Sequence, residues 1–179
     1  MRRFPITLML PLLLGALASP AAASELSFVA GLAPMGDLTV DNGSIEFDRY
    51  GFLGVRYEKD YLLILGIEHN LVYANDLLAP RTGNGGEDAL YYTGNLVLNL
   101  PVDRIVPNFV LGIGLMHRFG DSFPDTGSSF LTNWGLGVKF RELLGSAGLR
   151  FDLRRVRIHG VEDGSVTATE LSGGLLLTF

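Results

Sequence analysis

The sequence predicts an all-β fold in which eight antiparallel strands close an up-and-down barrel. The first observation is that stretches of about ten to twelve residues with alternating side-chain character are separated by turn-rich gaps. The second is that no segment after the N-terminal region shows the apolar repeat of a long helix. The third is that short and long connections alternate along the chain, as they do when antiparallel strands place all short turns at one end.

The N-terminal region has the pattern of an export signal. Met1–Arg3 carries two positive charges, Leu8–Leu17 is an apolar run, and small residues follow as far as Ala23. The apolar run is well short of the roughly 20 residues that a membrane-spanning helix requires. We therefore predict a cleaved signal peptide at residues 1–23 and one barrel domain at residues 24–179. Cleavage would leave 156 residues (179 minus 23).

Composition excludes several classes of site and partner. The chain has no cysteine, which excludes a disulfide framework and a thiolate metal site. After cleavage the chain would carry 12 Lys and Arg residues against 19 Asp and Glu, because the signal holds Arg2 and Arg3 and no acidic residue. This acidic balance argues against a nucleic-acid partner. We expect no cofactor and no bound metal.

Eight strands follow the signal, each an alternating run between turn residues. In chain order they lie near Glu25–Pro34, Arg49–Glu58, Leu62–Tyr73, Ala89–Leu100, Pro107–Phe119, Ser129–Phe140, Gly145–Val156 and Val166–Phe179. Their lengths match membrane-spanning β-strands, which need roughly 9–11 tilted residues. The predicted short turns are Glu58–Tyr61, Pro101–Val106 and Arg141–Leu144. The predicted long loops are Met35–Asp48, Ala74–Asp88, Gly120–Ser128 and Arg157–Ser165.

The two faces of these strands differ in character. In the seventh strand Leu149, Phe151 and Leu153 alternate with Arg150 and Asp152, so one face is bulky and apolar and the other is charged. A soluble barrel would turn the apolar face inward, whereas a membrane barrel turns it outward. The export signal and the glycine-rich polar face favour the second orientation, because an eight-stranded barrel has a narrow lumen. The predicted fold class is therefore an eight-stranded antiparallel up-and-down transmembrane β-barrel.

Charged residues of both signs occupy the alternate strand positions that are predicted to face the barrel interior. They are Arg56, Glu68, Lys139, Arg150, Asp152, Arg154 and Glu170. An unpaired buried charge is costly, so we expect several of these side chains to meet as an ionic network across the lumen. Such a network either fills the barrel as a rigid plug or lines a gated ion path. The narrow bore of eight strands favours the plug.

The last strand ends on an aromatic residue. Leu171, Leu175, Leu177 and Phe179 lie on one face of this strand, and the sequence stops at Phe179. With the strand count, the loop asymmetry and the mixed-charge interior, this end resembles the small outer-membrane β-barrel superfamily, typified by the OmpA transmembrane domain and OmpX. The resemblance implies a monomer in the bacterial outer membrane, in contact with its lipid and lipopolysaccharide. It also implies that Leu175, Leu177 and Phe179 form a signal read by the barrel-assembly machinery.

The sequence offers weak support for catalysis. A hydrolase needs a nucleophile and a base within hydrogen-bond reach, and neither His69 nor His117 has a serine two residues later. His159 lies near Glu162 and Ser165 within one predicted loop. We therefore predict a non-enzymatic barrel with a structural or surface-interaction role and no catalytic residues. A narrow ion-conducting pore and a lipid-modifying enzyme remain the alternatives.

Overall fold

The computed structural model describes residues 24–36, 38–40, 43–45, 48–61, 64–77, 87–119, 127–161 and 164–179. The predicted signal peptide, residues 1–23, lies outside this range. The part of the chain that the structure describes contains no helix with the length and hydropathy of a membrane span.

The described segments form ten strands. They are β1 (Ser24–Ala33), β2 (Leu38–Val40), β3 (Gly43–Ile45), β4 (Tyr50–Asp60), β5 (Leu65–Leu77), β6 (Glu87–Asn99), β7 (Ile105–Phe119), β8 (Ser128–Leu144), β9 (Ala147–Val161) and β10 (Gly164–Thr178). Strands β1 and β4 to β10 close a barrel in which each strand is antiparallel to both neighbours, and β2 pairs separately with β3. The predicted eight-stranded antiparallel barrel is confirmed.

The pairing register sets the tilt of the strands. A path of paired residues that starts at Leu26 on β1 and crosses the strands from β4 to β9 in order reaches Thr167 on β10. In the direct pair of β1 with β10, Leu26 lies opposite Leu177. The barrel therefore closes with a shift of ten residues along β10. With a rise of about 3.3 Å per residue and about 4.8 Å between strands, this shift corresponds to a tilt of about 40°. Each residue along a strand then gains about 2.5 Å of height.

The barrel closes between its first and last described residues. The amide of Ser24 donates to the carbonyl of Phe179 at 3.0 Å, and the amide of Phe179 donates to the carbonyl of Ser24 at 2.9 Å. We call this end of the barrel the terminal end, and the end that carries residues 34–49 the loop end. Phe179 thus completes the β1–β10 pair with two backbone hydrogen bonds.

Several strands extend further toward the loop end than the sequence predicted. Strand β5 continues to Leu77, and β9 continues to Val161, so the predicted long loop Arg157–Ser165 is wrong. The first loop also contains the β2–β3 hairpin. These errors in the strand ends have a common cause. The strands keep their alternation after the outward side chains become polar, as at Arg157 and His159, and this change of character resembles the end of a strand.

The apolar face of the strands points away from the lumen. The outward side chains of Leu136, Phe151 and Leu171 are 57%, 48% and 62% exposed, whereas Arg150 and Asp152 are 1% and 2% exposed. A soluble barrel would show the reverse arrangement. The orientation predicted for a membrane barrel is therefore the one that the chain adopts.

Glycines allow neighbouring strands to approach closely at inward positions. A Cβ atom added to Gly114 on β7 would lie 2.0 Å from the carbonyl oxygen of Tyr92, and one added to Gly31 on β1 would lie 2.3 Å from that of Leu171. No side chain fits at those distances without a backbone shift. The glycines leave the lumen to the long charged side chains that converge there.

Candidate functional site: the filled lumen and the outer face

A cluster of five charged side chains fills the middle of the lumen, and we call it the central cluster. It contains Arg56 of β4, Glu68 of β5, and Arg150, Asp152 and Arg154 of β9. Each of the five is at most 2% exposed. The cluster forms because the ten-residue shift brings Arg56 of β4 and Glu68 of β5 close to the height of Asp152 on β9.

The carboxylates of the central cluster each bind more than one guanidinium. Asp152 accepts from Arg56 Nη1 at 2.5 Å and from Arg150 Nε and Nη2 at 2.9 Å each. Glu68 accepts from Arg154 Nη1 and Nη2 at 2.8 and 3.0 Å. Arg150 Nη2 also reaches Glu68 Oε2 at 3.0 Å, which joins the two carboxylates into one network. Bidentate pairs of this kind are the stronger form of charged hydrogen bond.

Neutral side chains add further hydrogen bonds to the central cluster, although the buried Arg154 Nε has no hydrogen-bond partner among the described residues. Arg56 Nε donates to Asn70 Oδ1 at 3.2 Å and its Nη2 to Ser172 Oγ at 3.3 Å. Asn95 Nδ2 donates to Glu68 Oε1 at 2.8 Å. The buried charges therefore have hydrogen-bond partners as well as counter-ions, as buried ion pairs require.

A second ionic group lies nearer the terminal end. Lys139 Nζ donates to Glu25 Oε2 and Glu58 Oε2, at 2.7 Å each. Arg141 forms a salt bridge with Glu25 and donates to Asp60 Oδ2 at 3.1 Å. This group closes the lower lumen with side chains from β1, β4 and β8.

Above the central cluster the lumen is mostly apolar, apart from Glu170 and, at the loop end, the buried pair Glu87 and Arg118, whose Oε2 and Nη1 atoms lie 3.7 Å apart. Glu170 is held there by the hydroxyl of Tyr50 at 2.9 Å and by that of Tyr91. Beyond it, toward the loop end, lies a set of buried side chains that we call the apolar layer: Ala33, Phe52, Val72, Ala74, Leu77, Ala89, Met116, Leu131, Val156, Ile158, Val166 and Ala168. The sequence suggested a glycine, amide and charged interior throughout, and this expectation is wrong for the loop-end half.

All seven charged residues expected in the interior are buried there. Five of them form the central cluster, whereas Lys139 belongs to the lower group and Glu170 to the tyrosine pair. Sequence reasoning missed Glu58, which stands at the end of the predicted second strand and in the predicted turn after it, and Arg141, which lies in a predicted short turn. Glu58 has the same parity as Arg56, and this parity was the available signal.

The three histidines lie on the outer face. His69 Nδ1 is 2.6 Å from the hydroxyl of Tyr92, and His159 Nε2 is 3.1 Å from Thr132 Oγ1. His117 Nδ1 is 3.5 Å from Ser128 Oγ, its cross-strand partner. Within the described part of the chain, no group of three or more His, Cys, Asp or Glu residues is arranged to hold a metal ion.

Comparison with protein-family models gives one match over most of the chain. The family described as "Outer membrane protein beta-barrel domain" matches residues 8–179. A comparison with curated protein sequences finds no significant match.

Solved structures with the same architecture are distant in sequence. Neisserial surface protein A superposes with a TM-score of 0.67 at 15% identity, covering 88% of this chain and 97% of that one. The outer membrane enzyme PagL gives 0.55 at 16% identity, covering 84% and 97%. The N-terminal β-barrel domain of Pseudomonas aeruginosa OprF gives 0.52 at 10% identity, covering 84% and 96%. At these identities the likeness is one of fold.

Proposed function

Because this chain belongs to the outer membrane protein β-barrel domain family, we propose that it is an integral protein of the bacterial outer membrane with a structural or surface-interaction role. In this proposal residues 1–23 are its cleaved signal peptide, and the mature barrel works as a monomer. The barrel neither catalyses a reaction nor conducts ions. Its partners are the lipid and lipopolysaccharide around it and, during insertion, the barrel-assembly machinery.

The observation that carries this proposal is the filled lumen. The lower ionic group, the central cluster and the apolar layer follow one another from the terminal end to the loop end. An ion would have to separate the guanidinium–carboxylate pairs and then cross the apolar layer, whose side chains offer no polar partner. Both steps are costly in a medium of low dielectric constant. The lumen thus serves as a plug that holds the strands together.

Planar-bilayer recording tests the plug. We expect the purified full chain to give no discrete conductance steps, and Arg150→Ala, which removes one guanidinium from the central cluster, to remain silent as well. The folded state of the purified protein in each preparation is verified by its heat-modifiable migration on a gel. Discrete conductance steps whose size changes in the Arg150→Ala variant would show that the lumen is a narrow pore and not a plug.

A lipid-modifying hydrolase is the second candidate function, and one contact favours it. Ser128 and His117 are exposed on the outer face near the loop end, with Ser128 Oγ 3.5 Å from His117 Nδ1. A serine nucleophile also requires a third group that orients the histidine. In the described segments the ring of His117 packs edge-on against Phe119 at 4.9 Å, and no carboxylate bonds to it. The contact is therefore an incomplete catalytic arrangement.

Lipid mass spectrometry separates the two functions. We expect cells that overproduce the wild-type chain to have the same lipid A masses as cells that overproduce Ser128→Ala. The inactive arrangement gives no reason for a difference, because its histidine lacks an orienting acid. A loss of acyl-chain mass with the wild type that Ser128→Ala and His117→Ala both abolish would establish the hydrolase.

A further inference from the structure

Two arginines follow the apolar part of the outer face of β9. Arg155, Arg157 and His159 alternate along this strand and all point outward, and we call them the basic stripe. Two residues below Arg155, Leu153 is 51% exposed, as expected for a lipid-facing side chain. The basic stripe therefore begins where the apolar face of β9 ends.

The neighbouring strands provide hydroxyl groups instead of counter-ions. Arg157 Nε and Nη2 donate to Ser165 Oγ at 3.0 and 2.8 Å, and His159 bonds to Thr132. Arg155 lies opposite Trp134 on β8 and Thr169 on β10. Among the described residues, neither arginine forms a salt bridge, whereas every charged side chain of the central cluster has a counter-ion.

The height of Arg155 places it in the outer part of the membrane. It is eight residues above Ala147, the first residue of β9 at the terminal end, which amounts to about 20 Å at about 2.5 Å per residue. The apolar band of an outer-membrane barrel is about 25 Å tall. The guanidinium of Arg155 is thus within a side chain's reach of the outer boundary, and Arg157 lies one further step toward it.

An arginine without a counter-ion on the lipid face is destabilising near the midplane and is tolerated where its head can reach the interface. The counter-ion that membrane lipid offers at this boundary is the phosphate of a headgroup, which guanidinium binds in bidentate geometry. We propose that the basic stripe binds a phosphate group of the phosphorylated glycolipid of the outer leaflet. The hydroxyls of Thr132, Thr167 and Thr169 flank the site and supply further hydrogen-bonding groups.

The position of the stripe decides between the two lipid sources of phosphate. Short turns of outer-membrane barrels face the periplasm and the longer loops face outward, so the loop end lies in the outer leaflet. Glycerophospholipid occupies the opposite leaflet, beside the terminal end. This inference rests on the proposed function, because it requires the barrel to be inserted with the loop end outward.

Native mass spectrometry of the folded full chain in detergent, titrated with bisphosphorylated lipid A, tests the site. We expect Arg155→Gln/Arg157→Gln to bind lipid A about tenfold or more weakly than the wild type, since it loses two charged hydrogen-bonding groups. The control is Arg104→Gln, which removes an exposed positive charge at the terminal end, away from the outer leaflet, and should leave binding within about twofold. Dephosphorylated lipid A and phosphatidylglycerol should both bind more weakly than lipid A.

Each contrary outcome overturns a stated part of the inference. Equal affinity for dephosphorylated lipid A would show that acyl chains alone bind, and equal affinity for phosphatidylglycerol would remove the preference for glycolipid. A dimer that the Arg155→Gln/Arg157→Gln variant abolishes would reassign the stripe to contact between two copies of the chain. Outer-membrane fractionation and heat-modifiable migration are recorded for every variant. If these hold while binding is unchanged, the inference fails and the proposed function stands; if the wild type fails to fractionate with the outer membrane, the proposed function itself fails.

Discussion

Replacing Asp152 with alanine will lower the free energy of unfolding by about 3–5 kcal/mol, the cost of removing one partner from a buried ion pair. Asp152 accepts from Arg56 and Arg150 and lies 3.3 Å from Arg154 Nη2. Its removal leaves three guanidinium groups in the lumen with Glu68 as the only carboxylate of the central cluster. Equilibrium unfolding of the barrel in lipid vesicles by urea or guanidinium chloride measures the difference.

Ser172→Ala is the matched control for this prediction. Ser172 is buried in the same part of the lumen and accepts one hydrogen bond from Arg56, at 3.3 Å. Its loss should cost about 1.5 kcal/mol or less, because no charge is left without a counter-ion. Equal destabilisation by the two substitutions would mean that the central cluster contributes no more than an ordinary polar contact.

Deleting Phe179 will reduce the amount of barrel assembled in the outer membrane several-fold. We propose, from the resemblance to outer-membrane barrels, that Leu175, Leu177 and Phe179 are the signal read during insertion. The deletion also removes both backbone hydrogen bonds between Phe179 and Ser24, and hence the last pairing of β10 with β1. The measurement is the heat-modifiable fraction in isolated outer membranes, relative to total protein.

Two substitutions separate the side chain from the backbone pairing. Phe179→Ala keeps the hydrogen bonds to Ser24 and removes the 67% exposed ring, so we expect most of the assembly defect to remain. Phe140→Ala removes another outward aromatic ring near the terminal end, from β8, and should assemble nearly as well as the wild type. A defect as large for Phe140→Ala would indicate that aromatic contact with lipid, not a terminal signal, explains the loss.

The sequence predicts on which face of its strand a side chain lies, but it does not predict the height of that side chain along the barrel axis. Alternation is local, so it placed Arg150 and Asp152 on one face and Leu149 and Phe151 on the other. Which charges meet depends on the register of every strand pair and on the ten-residue shift at closure. That shift brings Arg56 level with Asp152, 96 residues later in the chain.

The basic stripe and the apolar layer were missed because the sequence does not show where along the barrel axis a strand ends. The outward parity of Arg155 and Arg157 was readable, but the seventh strand was ended at Val156, and Arg157 was assigned to a loop. The apolar layer was missed because the character of the inner face was inferred from the charged residues of each strand alone. Val156 and Ile158 follow Arg154 with unbroken alternation, and the inner face simply changes from charged to apolar.

The long separation in sequence between members of the central cluster has a consequence for kinetics. Arg150 and Arg154 lie 82 and 86 positions after Glu68 in the chain, so these contacts form only when most of the sheet has curled round on itself. Interactions made after the rate-limiting barrier slow the escape from the native state and hardly affect the approach to it. The central cluster therefore slows the unfolding of the finished barrel in the bilayer. The rate of insertion depends instead on the hairpins between consecutive strands.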